Sequence, residues 1–148
     1  MSITLDYISI NPVSTQIAVK IVAEAAPLPT SYDWWAEPLN LEQRVPDKRL
    51  EGSTRVRLGG YGLVDVPPEE EALMVCRDTS FVVVMLAKWS AKHKVSWRLS
   101  ELGTEVGSIV DGKRSATLSS YVSGLCSQLK LPLSKASEIL KKHEGRRD

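Results

Sequence analysis

Cys76 and His93 are the pair of side chains whose types suggest a nucleophile and its base. Thiol catalysis needs a thiolate within hydrogen-bond reach of an imidazole, and Cys76 lies just before a predicted helix start, where the helix dipole favours a thiolate. However, Cys76 follows the apolar run Leu73-Met74-Val75, and Cys126 lies on the apolar stripe of another predicted helix. Buried cysteine behaves as a small hydrophobic residue. We therefore expect both cysteines to be structural and assign no catalytic residue.

The remaining histidines, cysteines and glycines do not form a metal or phosphate motif. The chain has two histidines and two cysteines, and they lack the paired spacing of a zinc site. Gly59-Gly60-Tyr61-Gly62 resembles a phosphate-binding loop, but a strand-like run follows it instead of the helix that such a loop opens. The sequence thus predicts no cofactor and no metal. It leaves enzymatic activity open and favours a protein without it.

The least ordinary feature is the aromatic segment Tyr32-Asp33-Trp34-Trp35, within the proline-punctuated stretch 27–46. Such a stretch forms an ordered loop more readily than regular elements. If the tryptophans face the core, they are packing residues. If they stay exposed, they resemble the tryptophan, tyrosine and arginine anchors of protein interfaces. Both interpretations remain open, whereas Trp89 and Trp97 are expected in the core.

A basic cluster follows the aromatic segment and alternates with Glu42, Asp47 and Glu51. Mixed charges favour a salt-bridged surface, and the formal net charge of +1 makes a nucleic-acid partner a poor expectation. Together the two segments define a candidate protein interface, which consists of Tyr32, Trp34, Trp35, Arg44, Arg49, Arg55, Arg57 and Tyr61.

Two functional hypotheses follow. The first is a non-catalytic protein-binding domain that uses the loop around residues 30–49, with an inhibitor or toxin-neutralising protein as one type. The alternative is a small enzyme or ligand-binding domain with an apolar pocket lined by Trp34, Trp35 and Tyr61, in which Cys76, His93 or Asp33 would supply the polar groups.

Composition indicates an ordinary globular protein. A chain of 148 residues with 43% hydrophobic residues suits one domain over 1–148, with 145–148 as a frayed tail. Two cysteines without a paired motif suit a reducing compartment. The N-terminus lacks a signal-peptide pattern, and the longest apolar run, 81–87, is far shorter than the roughly 20 residues that span a bilayer. We therefore expect a cytoplasmic protein without a membrane segment.

Periodicity predicts the elements that must position these residues. We expect a strand over 3–10, a hairpin of 55–58 with 61–66, and a hairpin of 95–100 with 105–110. Segment 14–25 alternates like a strand, but its Ala-rich end and the capping-type Ser14 favour a helix, and both interpretations remain open. Helices are predicted to begin near Glu69, at an Asp78 or Thr79 cap, near residue 115, and at Ser134. Strands joined by short turns pair antiparallel. The predicted fold class is α+β, a single compact domain with helices on one face of the sheet.

Overall fold

The computed structural model describes residues 3–57 and 68–127, which form one antiparallel sheet with helices. The strands are β1 Ile3–Ser9, β2 Glu42–Gln43, β3 Leu50–Arg57, β4 Trp97–Glu101, β5 Thr104–Val110 and β6 Lys113–Arg114. Within this part of the chain the sheet has six strands in the order β2-β3-β1-β4-β5-β6. The α+β prediction is confirmed. The predicted strand 61–66 and the predicted helix from Ser134 lie outside the described residues.

The helices are α1 Thr15–Ala25, α2 Leu28–Ser31, α3 Pro68–His93 and α4 Ala116–Ser127. The α1 helix confirms the prediction for 14–25, because the Ser14 hydroxyl accepts the Ile17 N–H at 3.3 Å and caps the first turn. The predicted cap at Asp78 or Thr79 is wrong. A single helix runs through both residues, since no glycine or proline interrupts 69–93.

Two tight turns build the second half of the sheet. The predicted hairpin of β4 and β5 is confirmed, and its turn residues Leu102 and Gly103 have φ angles of 50° and 84°. Asp111 and Gly112, at 53° and 76°, make a second such turn into β6, a short strand that the sequence analysis missed. Positive φ at both central residues matches the right-handed twist of the strands.

The helices pack on one face of the sheet. Inward-facing Leu5, Tyr7, Trp97 and Leu99 are almost completely buried and join one core cluster with residues of α1, α3 and α4. Alternate residues of the same strands point to the other face, which no described helix covers. Among the described residues, no helix is both long and apolar enough to cross a membrane.

Cys76 of α3 and Cys126 of α4 form a disulfide, with Cα atoms 5.3 Å apart and a sequence separation of 50. Both cysteines are structural, as expected, but they are paired with each other. The argument that unpaired cysteines indicate a reducing compartment therefore loses its premise. Closing a loop of this length stabilises the fold by about 4 kcal/mol in the chain-entropy treatment.

Gly52 in β3 shows why one strand position excludes a side chain. A Cβ atom there would lie 1.9 Å from the Asn40 carbonyl oxygen and 2.3 Å from the Tyr7 ring. The aromatic ring and the neighbouring chain segment occupy the space that any other residue needs.

We expect Gly52→Ala to lower the free energy of unfolding by about 1–3 kcal/mol or more, because the ring and the loop must both shift. Gly124→Ala is the control, since a Cβ there meets no described atom within 4 Å and a helical alanine should stabilise by roughly 0.5–1 kcal/mol. Urea unfolding of both variants measures the difference. Equal effects at the two positions would contradict this account of Gly52.

Candidate functional site

The two tryptophans of the aromatic segment lie in the core. Trp34 is 1% exposed and Trp35 is 5% exposed. The Trp34 indole N–H donates to the Leu28 carbonyl at 2.9 Å, and its ring meets Phe81 edge-on at 5.3 Å between centroids. Tyr32 stacks on the same phenyl ring at 3.8 Å. Trp34 and Trp35 are therefore buried packing residues in this structure and not exposed interface anchors, and Trp34 packs on Phe81 of α3.

Asp78, buried in the middle of α3, attaches the aromatic segment to the helix. Its carboxylate accepts the Trp35 backbone N–H at 2.7 Å and pairs with the Arg77 guanidinium at 3.0 Å. Arg77 also donates to the Asp33 carbonyl oxygen and lies 5.2 Å from the Tyr32 ring centroid. One helical turn thus holds successive backbone groups of the loop.

Burial raises the pKa of Asp78, against the opposing effect of Arg77. A carboxyl group with a raised folded-state pKa stabilises the fold most at low pH, and this contribution is lost as pH rises through that pKa. Burial, reinforced by the Asp78 charge, also raises the pKa of Tyr32. Because Asp78 is completely buried, it cannot reach a substrate, and we assign it an anchoring role.

Cys76 and His93 do not form a catalytic pair. Both lie on α3, where 17 residues correspond to about 25 Å along the axis, and the Cys76 sulfur is bonded to Cys126. His93 Nε2 lies 2.8 Å from a Glu24 carboxylate oxygen, so it links α3 to α1. Hydrogen bonds from Lys92 and then His93 lower the pKa of Glu24. No group of three or more potential metal ligands occurs in the part of the chain that the structure describes.

The arginine half of the predicted interface is a salt-bridged surface, as the mixed charges indicated. Arg44 contacts Asp47 at 3.5 Å and Glu51 at 3.7 Å, and Arg49 lies 3.9 Å from Asp47. Beside them, Val45 is 91% exposed at the β2–β3 turn. Arg55 is an exposed residue of β3, and its backbone N–H donates to a Glu37 carboxylate oxygen at 2.9 Å. The side chains of Arg57 and Tyr61 lie outside the described part.

A groove of about 390 Å³ lies on the sheet face that the described helices leave open. Strands β1, β2, β3 and β4 supply most of its lining, and Asn40 closes one side. The lining residues are Asp6, Tyr7, Ile8, Asn40, Glu42, Glu51, Gly52, Ser53, Arg98 and Ser100. We call this the open-face groove.

Three carboxylates and one guanidinium line the open-face groove. Glu42 and Glu51 stand directly opposite each other in the β2–β3 ladder. Like charges directly opposite in an antiparallel pair destabilise a sheet. Arg44 offsets part of the Glu51 charge, while Arg98 is engaged by Glu105 at 3.0 Å. The groove is therefore acidic at its β2–β3 end.

Asn40 forms part of the rim of the groove, and its side-chain amide bonds to the β3 backbone as a neighbouring strand would. Its side-chain nitrogen donates to the Ser53 carbonyl at 2.6 Å, and its side-chain oxygen accepts the Ser53 N–H at 3.4 Å. Its backbone N–H donates to the Tyr7 hydroxyl at 3.1 Å. Burial raises the pKa of Tyr7 to about 12, so this hydroxyl stays neutral and keeps its hydrogen bonds.

The sequence analysis missed the groove residues, although strand alternation contained part of the signal. Asp6 and Ile8 alternate with Leu5 and Tyr7, which predicts an outward row on β1. The neighbours of that row come from β3 and β4, which are distant in sequence.

A second cavity, of about 160 Å³, lies beside the start of α1 and the end of α3.

Comparison with known proteins found no match, either among family models, among curated proteins or among solved structures. The functional argument therefore rests on the chain's own geometry.

We expect Asp78→Ala to lower the free energy of unfolding by about 3–5 kcal/mol, because it leaves the Arg77 charge and the loop N–H groups without their acceptor. Glu105→Ala is the matched control: it too removes a carboxylate 3.0 Å from an arginine, but this pair is 60% and 48% exposed. Glu105→Ala should lower the free energy of unfolding by less than about 1 kcal/mol. Urea unfolding measures both, and similar losses would contradict the anchoring role of Asp78.

Proposed function

We propose that this protein is a non-catalytic protein-binding domain that engages its partner through the open-face groove. The observation that carries the proposal is the direct opposition of Glu42 and Glu51, with Asp6 on the same uncovered face. Natural proteins retain unfavourable local arrangements mainly at functional sites. A positively charged group from a partner would neutralise this opposition and gain from it.

The partner that fits this chemistry is a protein segment with an exposed lysine or arginine. A groove of about 390 Å³ lies at the lower end of the roughly 300–1,000 Å³ range of ligand pockets, which is room for a side chain of a partner. Ile8 offers an apolar floor for the aliphatic stem of such a residue, and Asn40, Ser53 and Ser100 offer polar contacts around it. An inhibitor that covers a basic surface of its target belongs to this class.

The sheet edges favour docking on the face over the addition of a strand. At one edge the segment 37–40 accompanies β3, through Asn40 and through Glu37, whose backbone N–H donates to the Arg55 carbonyl at 3.1 Å. At the other edge β6 is two residues long, and Ser115 bonds to both backbone groups of Ser108. Short or covered edges discourage pairing with another chain.

The proposed binding surface differs from the one predicted from the sequence, because it lies in the open-face groove and not on the aromatic segment. The loop 30–49 contributes its second half, through Asn40, Glu42 and the Arg44 that pairs with Glu51, while its tryptophans serve the core. The alternative, an apolar pocket lined by Trp34, Trp35 and Tyr61, stays a prediction. Tyr61 lies outside the described residues, and neither tryptophan lines either of the two cavities described above.

If the Glu42–Glu51 opposition costs stability, then Glu42→Gln should raise the free energy of unfolding by roughly 0.5 kcal/mol at low salt. The gain should shrink as salt screens the repulsion. Chemical unfolding at two ionic strengths measures it. A loss of stability on this substitution would remove the observation on which the proposal rests.

A displayed library of random peptides, selected on the immobilised protein, tests the binding proposal. We expect enriched peptides to contain lysine or arginine, and fluorescence anisotropy with a labelled peptide gives their affinity. Ser53→Arg places a positive charge in the groove and should weaken binding at least tenfold. Ser119→Arg makes the same change on an exposed position of α4 and should leave the affinity within twofold.

Two outcomes would contradict the proposal. In one, Ser119→Arg weakens binding as much as Ser53→Arg, which would place the site on the helical face. In the other, the selected peptides lack basic residues and bind independently of salt, which would remove the electrostatic argument.

A further inference from the structure

The disulfide joins the first half of α3 to the last turn of α4. Cys76 lies in the ninth residue of α3, and Cys126 is the penultimate residue of α4. These two helix segments are distant in sequence, and the bond crosses directly between them.

The first half of α4 has ample anchorage without the disulfide. Leu118 is completely buried and lies against Gly107, where a Cβ atom would come within 2.4 Å of the Leu118 Cβ. The Ser115 hydroxyl accepts the Leu118 N–H at 3.2 Å and caps the helix, and Tyr121 donates to a Glu101 carboxylate oxygen. This half of α4 is held by packing and hydrogen bonds on β4 and β5.

The last turn of α4 is held by much less packing and hydrogen bonding than the first half. Val122 is the last residue of the helix in the buried core, and Ser123 and Gly124 are exposed. Leu125 and Cys126 are only partly buried. Cys126 also packs against the edge of the core, so the covalent bond to Cys76 adds to limited burial and is a strong restraint on this turn among the described residues.

We propose that the Cys76–Cys126 disulfide is a redox-operated clamp on the last turn of α4. Both cysteines keep partial exposure, so a small dithiol reaches the bond. A thiolate of the dithiol attacks one sulfur to form a mixed disulfide and releases the other cysteine as a thiolate, which takes up a proton. The second thiol of the dithiol then displaces the remaining cysteine. The protein gains two electrons and two protons, and the dithiol leaves as its cyclic disulfide.

This inference does not depend on the binding proposal, since the open-face groove lies on the opposite side of the sheet from α4. It does bear on the compartment. In an oxidising location the clamp stays closed, whereas in the cytoplasm expected from the sequence the reduced form prevails and the last turn is released.

Hydrogen exchange on the full chain, with and without dithiothreitol, tests the clamp. Alkylation and mass measurement should first find no free thiol before reduction and two after it. On reduction, we expect the amides of residues 123–126 to lose protection and exchange near the unstructured rate. The amides of Leu99 and Leu118 should remain protected. The double variant Cys76→Ser with Cys126→Ser should show the reduced pattern in both buffers and no response to the dithiol.

Three results would overturn the clamp. Free thiols in the untreated, air-exposed protein would mean that the bond does not form. Continued protection of 123–126 after reduction would mean that packing suffices to hold the turn. Loss of protection at Leu99 to the same extent as at 123–126 would mean that reduction unfolds the domain as a whole and does not release one turn.

Discussion

The buried carboxylate of Asp78 is the interaction on which the arrangement of the first half of the chain depends. A charge inside a helix and out of contact with water is tolerated only where it is paired and hydrogen-bonded. Here Arg77 supplies the pairing and the Trp35 backbone N–H supplies a hydrogen bond, so the cost of burial is met only when the aromatic loop is in place. The loop and the middle of α3 therefore specify one another.

That constraint extends to the candidate binding surface. Trp34 packs on α3 and the Trp35 backbone N–H bonds to Asp78, and the chain that leaves them runs along β3, where Glu37 and Asn40 bond to strand backbone. Asn40 then reaches the Tyr7 hydroxyl, which also bonds to Thr54 at 2.7 Å, and the crowded ring leaves room only for glycine at position 52. The rim of the open-face groove is thus built from contacts that begin at a buried charge on the other side of the sheet.

Local patterns predicted most of the local elements, although the short strand β6 was missed, and the failures that bear on the candidate site involve partners distant in sequence. The first part of α4 and the β4–β5 hairpin followed from periodicity and turn residues, whereas the α1 helix followed from its Ser14 cap and Ala-rich end against a strand-like alternation. Asp78 was misread as a helix cap, since aspartate favours that position locally. Its true acceptor role depends on Trp35, 43 residues away. The same distance hid the pairing of Cys76 with Cys126 and the assembly of the groove.

Two charge arrangements are locally unfavourable: the buried carboxylate of Asp78 and the directly opposed Glu42 and Glu51. They differ in how far the rest of the molecule compensates for them, and this difference bears on whether each is structural or functional. The Asp78 carboxylate is unfavourable alone, but its surroundings satisfy it with named donors, so its presence is explained within the molecule. Among the described residues, Arg44 lies 3.7 Å from Glu51 and is the cation that offsets the opposition of Glu42 and Glu51 in part. A compensated violation indicates a structural element, whereas an exposed and partly compensated one indicates a group that awaits a partner. By that reasoning, the basic partner that we propose for the groove would complete its electrostatics, and α3 with its loop supports the rim that such a partner would contact.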